Sequence, residues 1–97
     1  MKTYSGARTI DGIQVTVDGQ PLHERVDIYQ FTDGGFEWTY EGAAPQQLAL
    51  ALLADHLGDN EQALALCSRF TRQVIADLDN EWVLSSADID AALNDDG

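Results

Sequence analysis

Residues 35–57 begin as Gly35-Phe36-Glu37-Trp38-Thr39-Tyr40-Glu41-Gly42 and continue through Ala43-Ala44-Pro45 into Gln46-Gln47-Leu48-Ala49-Leu50-Ala51-Leu52-Leu53-Ala54-Asp55-His56-Leu57. The first part is the most aromatic segment of the chain, and the second part is the most apolar. The sequence on either side is more polar. Because burial of apolar surface drives folding, the core is expected to form around this stretch.

The two parts of the stretch have different periodicities. In residues 36–40 the aromatic side chains alternate with polar ones, which predicts a β-strand whose aromatic face packs in the core. Residues 48–54 are apolar on nearly every side, which predicts a helix buried on more than one face. Pro45 suits the first helical position, and Gly58 suits the left-handed C-terminal cap of that helix.

The N-terminal third carries the signals of a β-hairpin. Residues 2–4 are expected to open a strand, and residues 13–17 alternate apolar and polar side chains as a half-buried strand does. Asp18-Gly19 supplies the positive φ angles of a type I′ turn. The return strand at 20–22 contains a proline that fits only a sheet edge or strand start. Residues 26–29 are expected to form a weaker extended segment.

The C-terminal half is predicted to add helices. Asp59 and Gln62 resemble a capping box, and an amphipathic helix with its apolar side chains at helical spacing follows them. A short extended piece at 81–84 precedes a last helix. That helix has Ser85 or Ser86 as its cap and apolar anchors at Ile89 and Leu93.

Together these segments predict one α+β domain over residues 1–97, in which a small N-terminal antiparallel sheet packs against two to three C-terminal helices. Residues 1–42 are expected to be mainly β, 45–93 mainly α, and 94–97 a frayed tail. The single cysteine, Cys67, excludes an internal disulfide. No apolar run has the length of a membrane span and no secretory signal is visible, so a cytoplasmic location is expected.

Charge is the strongest global feature of the composition. The chain has 17 acidic and 5 basic residues, a formal net charge of −12. This balance argues against direct nucleic-acid binding, which requires clustered Lys or Arg. The acidity either serves solubility, as on the surfaces of halophilic proteins, or steers the chain toward a basic partner. The carboxylates of the last quarter form the candidate partner-binding set: Asp77, Asp79, Glu81, Asp88, Asp90, Asp95 and Asp96.

The residues with catalytic or ligand-binding potential favour structural roles. His23 and His56 each adjoin a carboxylate in sequence but lack a nucleophile with it, and Cys67 lies on the apolar stripe of the second helix. A pattern of alternating acids, Asp77-x-Asp79-x-Glu81, echoes a calcium loop, but Trp82 occupies the position that requires glycine. We therefore predict no catalytic residue, no metal site and no cofactor.

Two further groups could take part in recognition. The aromatic side chains of residues 36–40 could stack on nucleic-acid bases, but the acids among them favour core packing. Arg69 and Arg72 are expected to pair with Asp77 and its neighbours, and the alternative is that they form an interaction hot spot.

Several motifs resemble a small family of uncharacterised prokaryotic proteins whose members also occur in phages and plasmids. The resemblance rests on Gly35-Phe36-Glu37-Trp38 with Tyr40 and Gly42, on Pro45 with Gln47-Leu48-Ala49-Leu50-Ala51-Leu52-Leu53, and more weakly on Tyr4-x-Gly6-x-Arg8, Val17-x-Gly19-x-x-Leu22 and Trp82-x-Leu84. The chain departs from the family pattern at Thr39 and Ala43-Ala44, where small Gly or Ser residues are expected. The resemblance implies a mobile-element setting and carries no activity.

Two hypotheses from different classes follow. The first is a non-catalytic interaction protein that binds a basic surface, such as that of a nucleic-acid-binding protein. Its concrete form would be a mobile-element inhibitor such as an anti-CRISPR or DNA mimic. The second is a halophile-adapted housekeeping domain whose charge serves solubility alone. An enzyme is a third reading, unsupported by any assembled set of catalytic groups. The apolar central helix makes a homodimer a further possibility.

Overall fold

The computed structural model describes residues 2–94 and shows an α+β fold, as the sequence predicted. A four-stranded antiparallel sheet packs against three helices, two of which lie between the third and fourth strands in sequence. The strands are β1 (Thr3–Thr9), β2 (Gly12–Val17), β3 (Gln20–Pro21) and β4 (Glu81–Ser85). The helices are α1 (Ala43–Leu57), α2 (Asn60–Gln73) and α3 (Ser86–Leu93), with a short 3-10 helix at Ile75–Asp77.

The sheet has the strand order β3-β2-β1-β4. The predicted turn between β2 and β3 is confirmed, because Asp18 and Gly19 adopt φ angles of 50° and 84°, as a type I′ turn requires. Pro21 pairs with Thr16 on the edge strand β3. Because β3 is an edge strand, the lack of an N–H in Pro21 removes no hydrogen bond between strands.

The fourth strand comes from the C-terminal half of the chain. The sequence predicted an extended piece at 81–84, and the structure pairs it with β1, so that it forms the edge of the sheet opposite β3. Gly6 lies opposite Trp82, and a Cβ atom on Gly6 would come within 2.4 Å of the Trp82 indole ring. Glycine is therefore required at residue 6 for the indole to lie flat against the strand.

Helix α1 forms the centre of the protein. Every residue from Gln47 to Ala54 is buried, which confirms the prediction from its all-round apolar character. The sheet and the long segment before α1 cover part of it, and α2 covers another side. The helix begins at Ala43, two residues before the predicted start at Pro45, and ends at Leu57, where Gly58 with a φ of 68° gives the predicted left-handed cap.

The caps of the other two helices also follow the sequence. The Asp59 side chain accepts a hydrogen bond from the Gln62 N–H at 3.1 Å. Ser85 and Asp88 form a reciprocal capping box at the start of α3, in which each side chain bonds the backbone N–H of the other residue. Of the two predicted anchors of α3, Ile89 is fully buried and Leu93 is partly buried against the core.

The expected strand at residues 36–40 is wrong, and so is the extended segment at 26–29. Residues 22–42 contain no helix or strand. Trp38 is fully buried, but Phe36 is only half-buried and Tyr40 is 48% exposed, so the three rings do not share one face. The alternation failed as a signal because this segment has no neighbouring strand to complete a ladder.

Candidate functional site

The segment 22–42 is long for a connection without secondary structure, and such segments often carry function. Its first half is held by Gln47 of α1, whose side chain is fully buried. The Gln47 amide nitrogen donates to the carbonyl oxygens of Glu24 (2.7 Å) and Tyr29 (3.0 Å), and its oxygen accepts from the Phe31 N–H at 2.8 Å. One buried side chain therefore satisfies three backbone groups of the segment.

The second half of the segment is held by Arg8 of β1. The Arg8 guanidinium bonds the Glu37 carboxylate at 2.6 Å and the Trp38 carbonyl oxygen at 3.1 Å, and it lies 4.7 Å above the Trp38 ring. A third bond of 2.7 Å joins Arg8 to the Asn80 side chain. Because these partners come from distant parts of the chain, Arg8 ties the segment to the start of β4.

The backbone at Thr39 is in the left-handed region. Its φ is 80°, which is unfavourable for a β-branched residue. The Thr39 N–H bonds the Ile75 carbonyl oxygen at 3.1 Å, and its hydroxyl bonds the Trp38 carbonyl oxygen. The surrounding contacts thus hold Thr39 in a conformation that glycine would adopt without strain.

Replacing Thr39 with glycine is expected to raise the free energy of unfolding by about 1 kcal/mol, because the strain of a left-handed Thr is relieved. Chemical denaturation measures the change. Thr32→Gly is the matched control, since Thr32 has no positive φ, and this change should not stabilise the protein. A Thr39→Gly protein less stable than the parent would show that the side chain contributes more than the strain costs.

An open groove lies where this segment meets the start of β4. Its volume is about 630 Å³, and it is lined by Arg8, Thr39, Asp79, Asn80 and Glu81. Arg8 is already bonded to Glu37 and Asn80, whereas the Asp79 and Glu81 carboxylates have no partner among the described residues. We call this feature the acidic groove. Its two free carboxylates can accept hydrogen bonds from a cationic side chain.

The candidate carboxylates separate into three groups. Asp77, Asp79 and Glu81 are exposed on the turn into β4, and two of them line the acidic groove. Asp88 is occupied by the capping box of α3, and Asp90 lies 2.6 Å from Nε2 of His56. Asp95 and Asp96, with Gly97 of the predicted frayed tail, lie outside the described residues.

The prediction that Arg69 pairs with Asp77 is wrong. Arg69 donates instead to the Leu93 carbonyl oxygen at 2.6 Å and to the Gln73 side chain at 3.2 Å, so it links α2 to the end of α3. Arg72 is exposed and forms no ion pair with an acid among residues 2–94.

The other candidate side chains have structural surroundings. Cys67 is buried on α2, and its burial raises the pKa of the thiol. His23 accepts a hydrogen bond from the Arg25 N–H at 2.9 Å. Across residues 2–94 no three His, Cys, Asp or Glu side chains are placed together as metal ligands, and none of the helices there is long and apolar enough to cross a membrane.

Sequence reasoning missed Arg8 and Gln47 as organising residues. Gln47 did carry a signal, because a polar side chain in the middle of an apolar run must find partners if it is buried. Arg8 appeared only in the motif Tyr4-x-Gly6-x-Arg8 of the family resemblance, which gave it no role. The acids Asp79 and Glu81 of the acidic groove were in the candidate set, but the groove itself could not be predicted, since it depends on β4 joining β1.

Comparison with known proteins gives one match. A family model, described as a family of unknown function (DUF6166), matches residues 4–95. No match was found among the curated proteins or among the solved structures. The match includes Arg8, Gln47 and the residues of the acidic groove, and its description names no activity.

Proposed function

The chain belongs to this family of unknown function (DUF6166), and we propose that it is a non-catalytic interaction protein that binds a basic surface of another protein through the acidic groove. The observation that carries the proposal is the position of Asp79 and Glu81, two residues that line one groove and whose carboxylates have no partner among the described residues. The net charge of −12 supports it, because the field of the whole chain steers a basic partner toward such a site.

The neighbours of the groove define its chemistry further. Arg8 lies at the groove but is neutralised by Glu37 at 2.6 Å, so it does not cancel the two free acids. Asp77 is exposed two residues before Asp79 and adds to the same negative potential. A surface of this kind suits a partner that presents Lys or Arg, as the nucleic-acid-binding site of another protein does.

A nucleic-acid-binding partner gives the proposal its concrete form. By occupying the partner's basic site, the chain would exclude nucleic acid from it and act as an inhibitor. The resemblance to proteins of phages and plasmids favours this form, of which an anti-CRISPR or DNA mimic is an example. The fixed position of the segment 22–42 supports it too, because a preorganised surface loses less entropy on binding.

Capture from a cell lysate tests the proposal. The immobilised chain should retain a basic protein at about 0.1 M salt and release it at about 0.5 M salt, because surface charges are then screened. Double-stranded DNA should displace the same protein. Neutralising the groove region by Asp77→Asn, Asp79→Asn and Glu81→Gln together should abolish capture.

The matched control changes the net charge equally at other sites. Glu24, Asp33 and Glu61 are exposed carboxylates without side-chain partners among residues 2–94, and none of them lines the acidic groove. Their neutralisation as Glu24→Gln, Asp33→Asn and Glu61→Gln should weaken capture only slightly. Equal losses in the two triple variants would show that net charge, and not the groove, recruits the partner.

The halophile alternative makes a different prediction. A chain whose acidity serves only solubility in high salt should gain stability as salt rises to multimolar levels, since screening relieves the repulsion among its carboxylates. Thermal melts over that range measure this gain. Equal stability throughout removes the alternative, whereas a large gain without any captured partner would replace the proposed function.

A further inference from the structure

The two edges of the sheet differ in how they are protected. Strand β3 has two residues and contains Pro21, so little of its backbone can pair with another chain. Strand β4 has five residues, contains no proline or lysine, and carries one charged side chain, Glu81. No described residue pairs with the side of β4 that faces away from β1. Strand β4 is therefore an open edge.

The hydrogen-bond alternation shows which backbone groups this edge presents. Ser86 N–H bonds the Lys2 carbonyl oxygen at 3.0 Å, so the even-numbered residues of this segment bond β1. The odd-numbered residues of β4 consequently direct their N–H and C=O groups outward. The Ser85 N–H is already bonded to Asp88 at 2.9 Å, which leaves Val83 with both groups free at the centre of the edge.

The open edge and the acidic groove are continuous. Glu81 is the first residue of β4 and also lines the groove, and Val83 lies two residues further on the same face of the sheet. The Val83 side chain is 67% exposed. An added strand would therefore meet free backbone groups at Val83, an apolar side chain beside them, and unpaired carboxylates at one end.

We propose that an extended segment of the basic partner adds to β4 as a fifth strand. This inference rests on the proposed function and names the form of the partner. The segment places an apolar residue beside Val83 and a Lys or Arg two residues away beside Glu81, because cross-strand neighbours on one face lie within contact distance. Charge favours this occupant over a second copy of the chain, because the second copy also has a net charge of −12 and would be repelled.

Proline at residue 83 tests the edge directly. Since the Val83 N–H points away from β1, Val83→Pro removes an outward donor and leaves the β1–β4 ladder intact. The probe is a short peptide that repeats threonine, arginine, threonine and valine, so that arginine and valine share a face. Isothermal titration should show about tenfold weaker binding to Val83→Pro, the loss of roughly one hydrogen bond.

The controls separate the backbone from the side chain. Val83→Thr keeps the N–H and should bind the probe within about twofold of the parent, since the donor is retained. A probe with glutamate in place of arginine should not bind. Circular dichroism of Val83→Pro checks that the sheet is kept. If the sheet is lost, a probe methylated on its backbone nitrogens is used in place of the variant. This methylated probe should bind the parent weakly.

Three results would overturn the inference. One is that the parent and Val83→Pro bind the probe equally well, or that the parent binds the methylated and the unmethylated probe equally well. Another is a dimer of the parent in sedimentation analysis that Val83→Pro dissociates, because a second copy would then occupy the edge. The third is capture of the lysate partner that depends on the acidic groove but not on Val83→Pro. That third result would refute the fifth strand but not the proposed function. Capture that does not depend on the acidic groove would refute both.

Discussion

The variant Trp38→Ala is expected to lose about 3 to 5 kcal/mol of unfolding free energy, the usual cost of deleting a fully buried aromatic side chain. Trp38 has no exposed surface and meets Trp82 edge to face at 5.6 Å. It also lies beneath the Arg8 guanidinium. The substitution thus removes a core contact and also the ring on which Arg8 rests. Urea denaturation measures the loss.

Tyr40→Ala is the control within the same motif. Tyr40 is 48% exposed, so its removal should cost no more than about 1 kcal/mol. A Trp38→Ala protein that keeps the parent's stability but loses partner capture would show that Trp38 belongs to the binding surface. The motif would then have a direct functional role, contrary to the structural role assigned to it above.

Gln47→Leu is the second substitution with a large expected effect. The change conserves burial but removes the three hydrogen bonds to the segment 22–42. It should cost about 3 kcal/mol, because one backbone donor and two backbone acceptors of the segment lose their partner. Amide hydrogen exchange should become faster at Phe31 in particular, since its N–H would no longer bond Gln47.

Gln46→Leu is the matched control for this change. Gln46 is the preceding residue of α1, is half-buried, and bonds the Ser68 hydroxyl at 2.6 Å. Its replacement should cost about 1 kcal/mol or less and should leave exchange at Phe31 unchanged. Unchanged exchange in Gln47→Leu would mean that the first half of the segment is held by other contacts.

The helices and the hairpin could be predicted because their signals are local. The apolar run of α1, the Asp59 and Ser85 caps and the Asp18-Gly19 turn each depend on neighbours within a few residues. The prediction at 36–40 failed because a strand requires a partner elsewhere in the chain. Strand β4 took the place beside β1, and Trp38 packs on the sheet without joining it.

The candidate site was predicted only in part for a related reason. Composition and sequence position identified the acidic C-terminal quarter, which includes Asp79 and Glu81 of the groove. They could not separate these from Asp88 and Asp90, because a capping box and an ion pair with His56 appear only when α3 is placed. The open edge of β4 depends on strand order, which local periodicity does not specify.

The proposed function requires that the acidic groove, and not the aromatic motif or net charge alone, recruits a basic partner. The most direct test is the salt dependence of the association rate with the captured protein, compared for the parent and the two triple variants. With Asp77, Asp79 and Glu81 neutralised, the association rate should depend much less on salt concentration. With Glu24, Asp33 and Glu61 neutralised, most of the salt dependence should remain. Equal slopes for both triple variants would contradict the claim.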